Sequence, residues 1–449
     1  RKRKFQNIWL LIASLFFYGW GEPRYVLLMI LSIMLNFTGG LLISRAAERR
    51  ARIAVLASTV ALNLALLFYF KYIDFAIGAI DRVFGVGIPI PEVALPIGIS
   101  FFTFQGMTYV IDVYRGDAQV QRNPLNVGLY ISLFPQLIAG PIVRYKDIAK
   151  QIDGRHVSLE DMYDGIIRFI IGLGKKVIIA NQMAIVADAV FNYDPSLNTP
   201  ASCWLGLLCY TLQIFFDFSG YSDMAIGLGR MFGFHFMENF NYPYISKSIR
   251  EFWRRWHISL STFFRDYLYI PMGGSRKGNV YLHLVVVFFA TGLWHGAAYT
   301  FVVWGMWHGF FIVAERCLGS KVKLRETKAL GAVKHVYTLA VVMLGWAIFR
   351  SDGMSRTLAF IQALAGAGDH SAAKVSVWYF LDSYTVLIMV AGILFSMPAM
   401  RKLEEKLITD RDKITAASIA KPIIVMGIFL ASCVLVMNSS YNPFLYFRF

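Results

Sequence analysis

Along the chain, apolar positions gather into runs separated by short polar stretches. Runs near the ~20 residues that a helix needs to cross hydrocarbon fall at 8–20, 25–43, 53–70, 93–112, 126–141, 163–181, 203–217, 281–294, 296–314, 335–349, 376–396 and 421–437. This pattern predicts an all-α integral membrane protein that crosses the bilayer many times. Several runs are too short to span alone, and glycines interrupt them beside polar residues. Such segments predict broken or re-entrant helices, which membranes accept only where protein buries the backbone or where it lines a wet cavity.

Composition supports the membrane reading. Of 449 residues, 57% are hydrophobic and 16% charged, whereas a soluble domain carries roughly a quarter charged residues. Mean hydropathy is +0.53. The net charge of +16 does not point to nucleic acid, because the basic residues form short clusters between apolar runs, as at Arg45–Arg52 and Lys321–Lys334. Clusters placed in this way mark cytoplasmic loops. With Arg316–Lys334 and Arg401–Lys413 both cytoplasmic and two spans between them, the run at 421–437 carries the chain outward and leaves 442–449 on the external side. The first residue is Arg1 rather than Met, so the native start is expected upstream. The whole of 1–449 reads as a single membrane domain. Cys203, Cys209, Cys317 and Cys433 are scattered and lack the C-x-x-C spacing of a zinc site. No metal is expected.

The segment Glu251–Leu268, E-F-W-R-R-W-H-I-S-L-S-T-F-F-R-D-Y-L, is amphipathic at helical spacing. Trp253, Trp256, Leu260, Phe263 and Tyr267 share one face, and Arg254, His257, Ser261 and Arg265 share the other. It predicts an interfacial helix that turns His257 into a polar cavity, with Arg254, Arg255 or Arg265 placed for a phosphorylated donor, since guanidinium pairs well with phosphate. Phe288–Gly309 then sets His295 and His308 in apolar sequence. An ionisable residue at membrane depth is costly and marks a functional site by default. His295 lies between Gly292 and Gly296, whose small side chains admit a backbone or a ligand. A neutral imidazole there suits a general base, whereas His308 is expected to hydrogen-bond neighbouring helices. Asp217, Ser219, Ser222 and Asp223 also fall in apolar context, and buried carboxylates there require partners. The polar loop Met237–Tyr244 leads into the His257 segment and is expected to shape a cavity mouth.

These segments occur in order with P-I-G-I-S-F-F-T-F-Q at Pro96–Gln105, F-P-Q-L-I-A-G-P-I-V-R at Phe134–Arg144, R-R-W-H and L-W-H-G. In this the chain resembles the membrane-bound O-acyltransferases, in particular the bacterial branch associated with alginate O-acetylation. The resemblance implies a ring of about eleven transmembrane helices plus re-entrant and interfacial helices around a central funnel. It assigns the essential histidine to His295 and the second polar position to His257. It further implies acetyl transfer from cytoplasmic acetyl-CoA across a bacterial inner membrane to an exported polysaccharide, in concert with an extracytoplasmic acetyltransferase resembling SGNH hydrolases. The tail presents Phe444, Tyr446 and Phe449 in F-x-Y-x-x-F spacing. That spacing is similar to a motif on a partner peptide of the related D-alanylation system, which implies Tyr446 as an acyl relay. Residues alone leave three other readings open: a transporter of polysaccharide or lipid-linked sugar, an acyltransferase of lipid or protein, and, for the tail, an aromatic interfacial anchor.

Overall fold

The structure is a computed structural model. It describes every residue except 1, 322–326, 368–374, 399–410, 439–442 and 446–449, and at 2, 320–321 and 411–418 it describes only the backbone. Tyr446, Phe449 and most of the basic Arg401–Lys413 segment therefore lie outside the described residues.

The described residues form helices joined by turns and loops: α1 (Lys2–Gly21), α2 (Val26–Arg45), α3 (Arg49–Phe84), α4 (Ile99–Arg115), α5 (Pro124–Ser132), α6 (Phe134–Leu137), α7 (Tyr145–Gly154), α8 (Leu159–Gly174), α9 (Asn181–Asn192), α10 (Pro200–Met231), α11 (Ile249–Arg255), α12 (Ile258–Phe264), α13 (Val280–His295), α14 (Tyr299–Lys321), α15 (Lys328–Arg350), α16 (Met354–Leu364), α17 (Ser383–Phe395) and α18 (Arg411–Asn438). Among the described residues, seven helical runs are long and apolar enough to cross a membrane: α2, α3, the run Leu159–Asn192, α10, Tyr299–Gly319, α15 and Ile419–Asn438. The apolar helices α13 and α17 are shorter. Polar residues fix several starts by accepting otherwise orphaned backbone N–H groups. Ser248 accepts from Glu251, Asn279 from Tyr281 and Leu282, and Asp382 from Thr385. The chain is an all-helical, multi-pass membrane protein.

Two expected spans take another form. The run at 126–141 breaks into α5 and the four-residue α6, followed by non-helical backbone. Its polar groups stay satisfied inside protein, where Gln136 donates to the Tyr130 carbonyl at 2.7 Å and the Tyr130 hydroxyl donates to the Val143 carbonyl at 2.8 Å. The run at 163–181 continues through a π-helical turn, Lys175–Ala180, into α9.

The chain divides into two compact units, residues 1–166 with 225–237, and residues 167–224 with 238–449. In the first, α2, α3 and α4 pack closely. The amides of Asn36 and Asn63 exchange hydrogen bonds of 3.0 Å in each direction, which joins α2 to α3 where water cannot compete. Gly40 lets α2 approach Tyr109, since an added Cβ would lie 2.5 Å from that ring. In the second unit, a continuous core contains Trp253, Trp256, Trp304, Trp346, Phe252, Phe288 and Phe349. The large rings there pack mainly edge to face.

Candidate active site

His295 is the last residue of α13, and the chain leaves it through an extended Gly296 before α14 begins at Tyr299. The two helices approach closely because a Cβ on Gly292 would collide with the Phe301 carbonyl, and one on Gly305 with the Phe288 carbonyl. The ring of Phe301 fills the space beside Gly296. The small residues flanking His295 therefore serve helix packing, and protein occupies the room they leave. His295 is 7% exposed. Its ring lies 4.8 Å from Trp304, 5.0 Å from Trp294 and 5.3 Å from Phe349, between ring centroids.

His257 enters the same neighbourhood from a break in the chain. The continuous amphipathic helix expected over Glu251–Leu268 does not form. Instead α11 ends at Arg255, His257 adopts a left-handed conformation at φ 45° and ψ 53°, α12 follows, and a π-helical turn covers Arg265–Tyr269. A non-glycine residue in that region carries a cost on the order of 1–3 kcal/mol and persists only where surrounding contacts impose it. They come from the loop at Met237–Tyr244. Ile258 N–H donates to the Asn239 carbonyl and Asn241 N–H to the Arg255 carbonyl, both at 2.9 Å. The aromatic face expected at an interface is buried in protein: Trp253, Trp256, Leu260 and Phe263 all belong to the interior. The sequence pattern was that of a one-sided helix, but the apolar side meets α14 and α15 rather than lipid.

Asn239 determines how His257 presents its ring. Its Oδ1 accepts from Ser259 N–H at 3.2 Å and from the Ser259 hydroxyl at 2.9 Å, while its Nδ2 donates to Ser222 at 3.1 Å. The backbone donor at Ser259 fixes which end of the amide is oxygen. His257 Nδ1 lies 3.2 Å from that same oxygen, so a hydrogen bond there requires the proton on Nδ1. Nε2 then carries a lone pair, and among the described residues it is buried without a hydrogen-bond partner. The arrangement holds a buried proton acceptor at a fixed orientation. The His257 and His295 rings are 6.4 Å apart between centroids, with Trp294 5.7 Å from His257. Asn239, Trp294, Trp304 and Phe349 escaped sequence reasoning as site residues. For Asn239 the available signal was a polar residue inside the loop leading to the histidine.

Other expected residues are placed differently. Arg254 is exposed on α11. Arg255 pairs with Glu251 at 3.0 Å, and Arg265 with the adjacent Asp266 at 2.7 Å. The structure thus brings His257 and His295 together, and it occupies two of the three arginines with carboxylates. His308 does not make the expected interhelical hydrogen bonds: among the described residues both ring nitrogens lack a partner. Its ring instead sits 5.3 Å from both Trp253 and Trp304. The carboxylates of α10 are paired as anticipated. Asp223 meets Lys175 at 2.6 Å and Arg168 at 2.8 Å, and Asp217 meets Lys176 at 2.5 Å. The tail enters here too, because Leu445 N–H donates to Asp217 Oδ2 at 2.8 Å.

Comparison with known proteins places the chain in a family. Residues 97–351 match the membrane-bound O-acyltransferase family. The chain is 38% identical to a probable alginate O-acetylase of Pseudomonas putida, over all of this chain and 95% of that protein. It is 31% identical to a peptidoglycan O-acetyltransferase of Helicobacter pylori, over 99% of this chain and 92% of that protein. A teichoic acid D-alanyltransferase of Bacillus subtilis is 34% identical over 47% of this chain and 56% of that protein. The matched region contains both His257 and His295, and the chain belongs to the membrane-bound O-acyltransferase family as an acyltransferase.

Proposed function

We propose that the protein is an O-acetyltransferase of the bacterial inner membrane that moves acetyl from cytoplasmic acetyl-CoA to an exported or cell-surface polysaccharide, an alginate-like polymer being favoured. The observation that carries this reading is the pairing of His257 and His295 within an aromatic enclosure. The alginate and peptidoglycan O-acetylating relatives match nearly the full chain, which supports a polysaccharide acceptor over a lipid or protein one.

In this mechanism His295 takes the proton of an acceptor hydroxyl as its oxygen attacks the thioester carbonyl. The oxygen–carbon bond forms, the carbon–sulfur bond breaks, and the proton passes from the imidazole to the departing thiolate. His257, with its lone pair held on Nε2, is the second polar group at the reacting centre. Arg254, Arg255 and Arg265 are the candidates for the donor's phosphates, with Arg255 and Arg265 exchanging their carboxylate partners for phosphate. Tyr446 is the proposed first acceptor, and it hands acetyl to a separate extracytoplasmic acetyltransferase. The whole chain acts as one membrane domain in this reading, with 442–449 as its external tail.

The test uses labelled acetyl-CoA and protein inserted in membranes. His295→Ala is expected to lower transfer by roughly 10²–10⁴-fold, the usual contribution of a positioned proton acceptor, with insertion unchanged. Full acetylation by that variant would overturn the assignment. Label should also appear on Tyr446, and Tyr446→Phe should abolish polysaccharide acetylation; a Tyr446→Phe protein with normal acetylation removes the relay. A transporter would leave both protein and polymer unlabelled.

A further inference from the structure

Two consecutive lysines at the start of the π-helical turn reach α10, Lys175 to Asp223 and Lys176 to Asp217. Their surroundings differ. Asp223 sits in a side-chain cluster in which Arg168 also joins Glu238. The Lys176–Asp217 pair is deeper, with side chains 8% and 3% exposed, and it engages main chain from the other end of the sequence. Asp217 directs one carboxylate oxygen to Lys176 and the other to Leu445 N–H. Lys176 also donates to the Pro443 carbonyl at 3.3 Å, and its ammonium lies 4.7 Å from the centre of the Phe444 ring. That ring meets Tyr221 edge to face at 4.9 Å. Leu445 is buried in the same core as Tyr210, Phe215 and Phe216.

We infer that the Lys176–Asp217 pair is a receptor for the C-terminal segment, reading the main chain of Pro443–Leu445, and that this anchor serves acyl transfer at the next residue in sequence, Tyr446. The chemistry suits peptide capture. A carboxylate accepts a backbone N–H strongly, an ammonium can serve a second carboxylate or carbonyl at once, and the Tyr221 and Phe444 rings add side-chain selectivity. A desolvated ion pair is costly unless its remaining hydrogen-bonding capacity is used, and here the tail's backbone uses it. The π-helical turn that carries Lys176 is a kind of irregularity found frequently at functional sites. Lys176 and Asp217 are positioning residues in this account, and the purpose assigned to them rests on the proposed relay through Tyr446.

Hydrogen–deuterium exchange on the full chain in lipid nanodiscs tests it. Asp217→Asn alone would leave a buried ammonium uncompensated, so the informative protein is the double variant Lys176→Met with Asp217→Asn, which buries no charge. The Leu445 amide should exchange at least roughly tenfold faster in the double variant than in the wild type, as a locally released segment does, while amides along α10 keep their protection. Equal protection of Leu445 in both proteins would overturn the inference, and so would loss of protection spread along α10, since a merely structural pair would loosen the helix itself. Tyr446→Phe separates this from the relay: with Leu445 still protected, loss of acetylation supports both ideas, whereas retained acetylation removes the relay and leaves the receptor standing.

Discussion

His257 and His308 are alike by every coarse measure. Each is fully buried in the same unit of the protein and surrounded by aromatic rings, and the Phe252 ring, which stacks on His308 at 6.2 Å, lies five residues before His257. They differ in backbone and wiring. His308 lies inside a regular helix, α14, and its two nitrogens find no hydrogen-bond partner among the described residues. His257 lies in a left-handed break, and Asn239 engages its Nδ1. Burial at membrane depth therefore does not by itself identify a chemical histidine. Control of one ring nitrogen, which leaves the other with a defined lone pair, is the more discriminating feature.

The largest effect expected from this comparison is that of His257→Ala. Transfer from labelled acetyl-CoA should fall by roughly 10²–10⁴-fold, close to the His295→Ala loss. Combining the two should cost much less than the product of the separate effects, because groups acting as one unit are not additive. Independent, multiplicative losses would break the pairing of the two rings.

Asn239→Ala should have the next effect. It removes the acceptor for Ser259 and the contact that selects the His257 tautomer. A single hydrogen bond of this kind corresponds to roughly a tenfold loss of transfer, or about 1.4 kcal/mol. Nitrogen NMR on histidine-labelled protein supplies the sharper readout, with the Nδ1–H form at His257 in the wild type and a mixture in the variant. An unchanged tautomer with normal transfer would show that the left-handed backbone alone sets the ring.

Much of this architecture was legible in the chain because long apolar runs leave few alternatives in a membrane. α2, α15 and the apolar part of α18 follow their runs closely, and the R-R-W-H and L-W-H-G segments do bring His257 and His295 together. Illegible features came from distant contacts. The periodicity of Glu251–Leu268 is that of one helix, and the break at His257 depends on main-chain pairing with Asn239 and Asn241, residues outside that window. Likewise, Asp217 ends an apolar run in the sequence, yet α10 continues unbroken from Pro200 to Met231, with that carboxylate paired to Lys176. The match between Asp217 and Leu445 joins positions 228 apart in sequence. No local pattern encodes such a contact.

The smallest effect is expected from His308→Phe, and it bears most directly on the comparison. The site already presents aromatic surfaces from Phe252, Trp253 and Trp304. Exchanging imidazole for phenyl removes two buried nitrogens that lack hydrogen bonds, and such groups cost about 1–3 kcal/mol each when unsatisfied. Against that gain stands the larger ring, which must fit beside Gly345, where the space for a Cβ is already 2.8 Å from His308 Nε2. Overpacking costs about 1–3 kcal/mol, no more than the two unsatisfied nitrogens together, so thermal stability should hold or rise rather than fall. Transfer should stay within about twofold of wild type, a change of about 0.4 kcal/mol. A loss comparable to that of His257→Ala, in a protein of unchanged stability, would place His308 in the proton path and remove hydrogen-bond wiring as the feature that separates the two histidines.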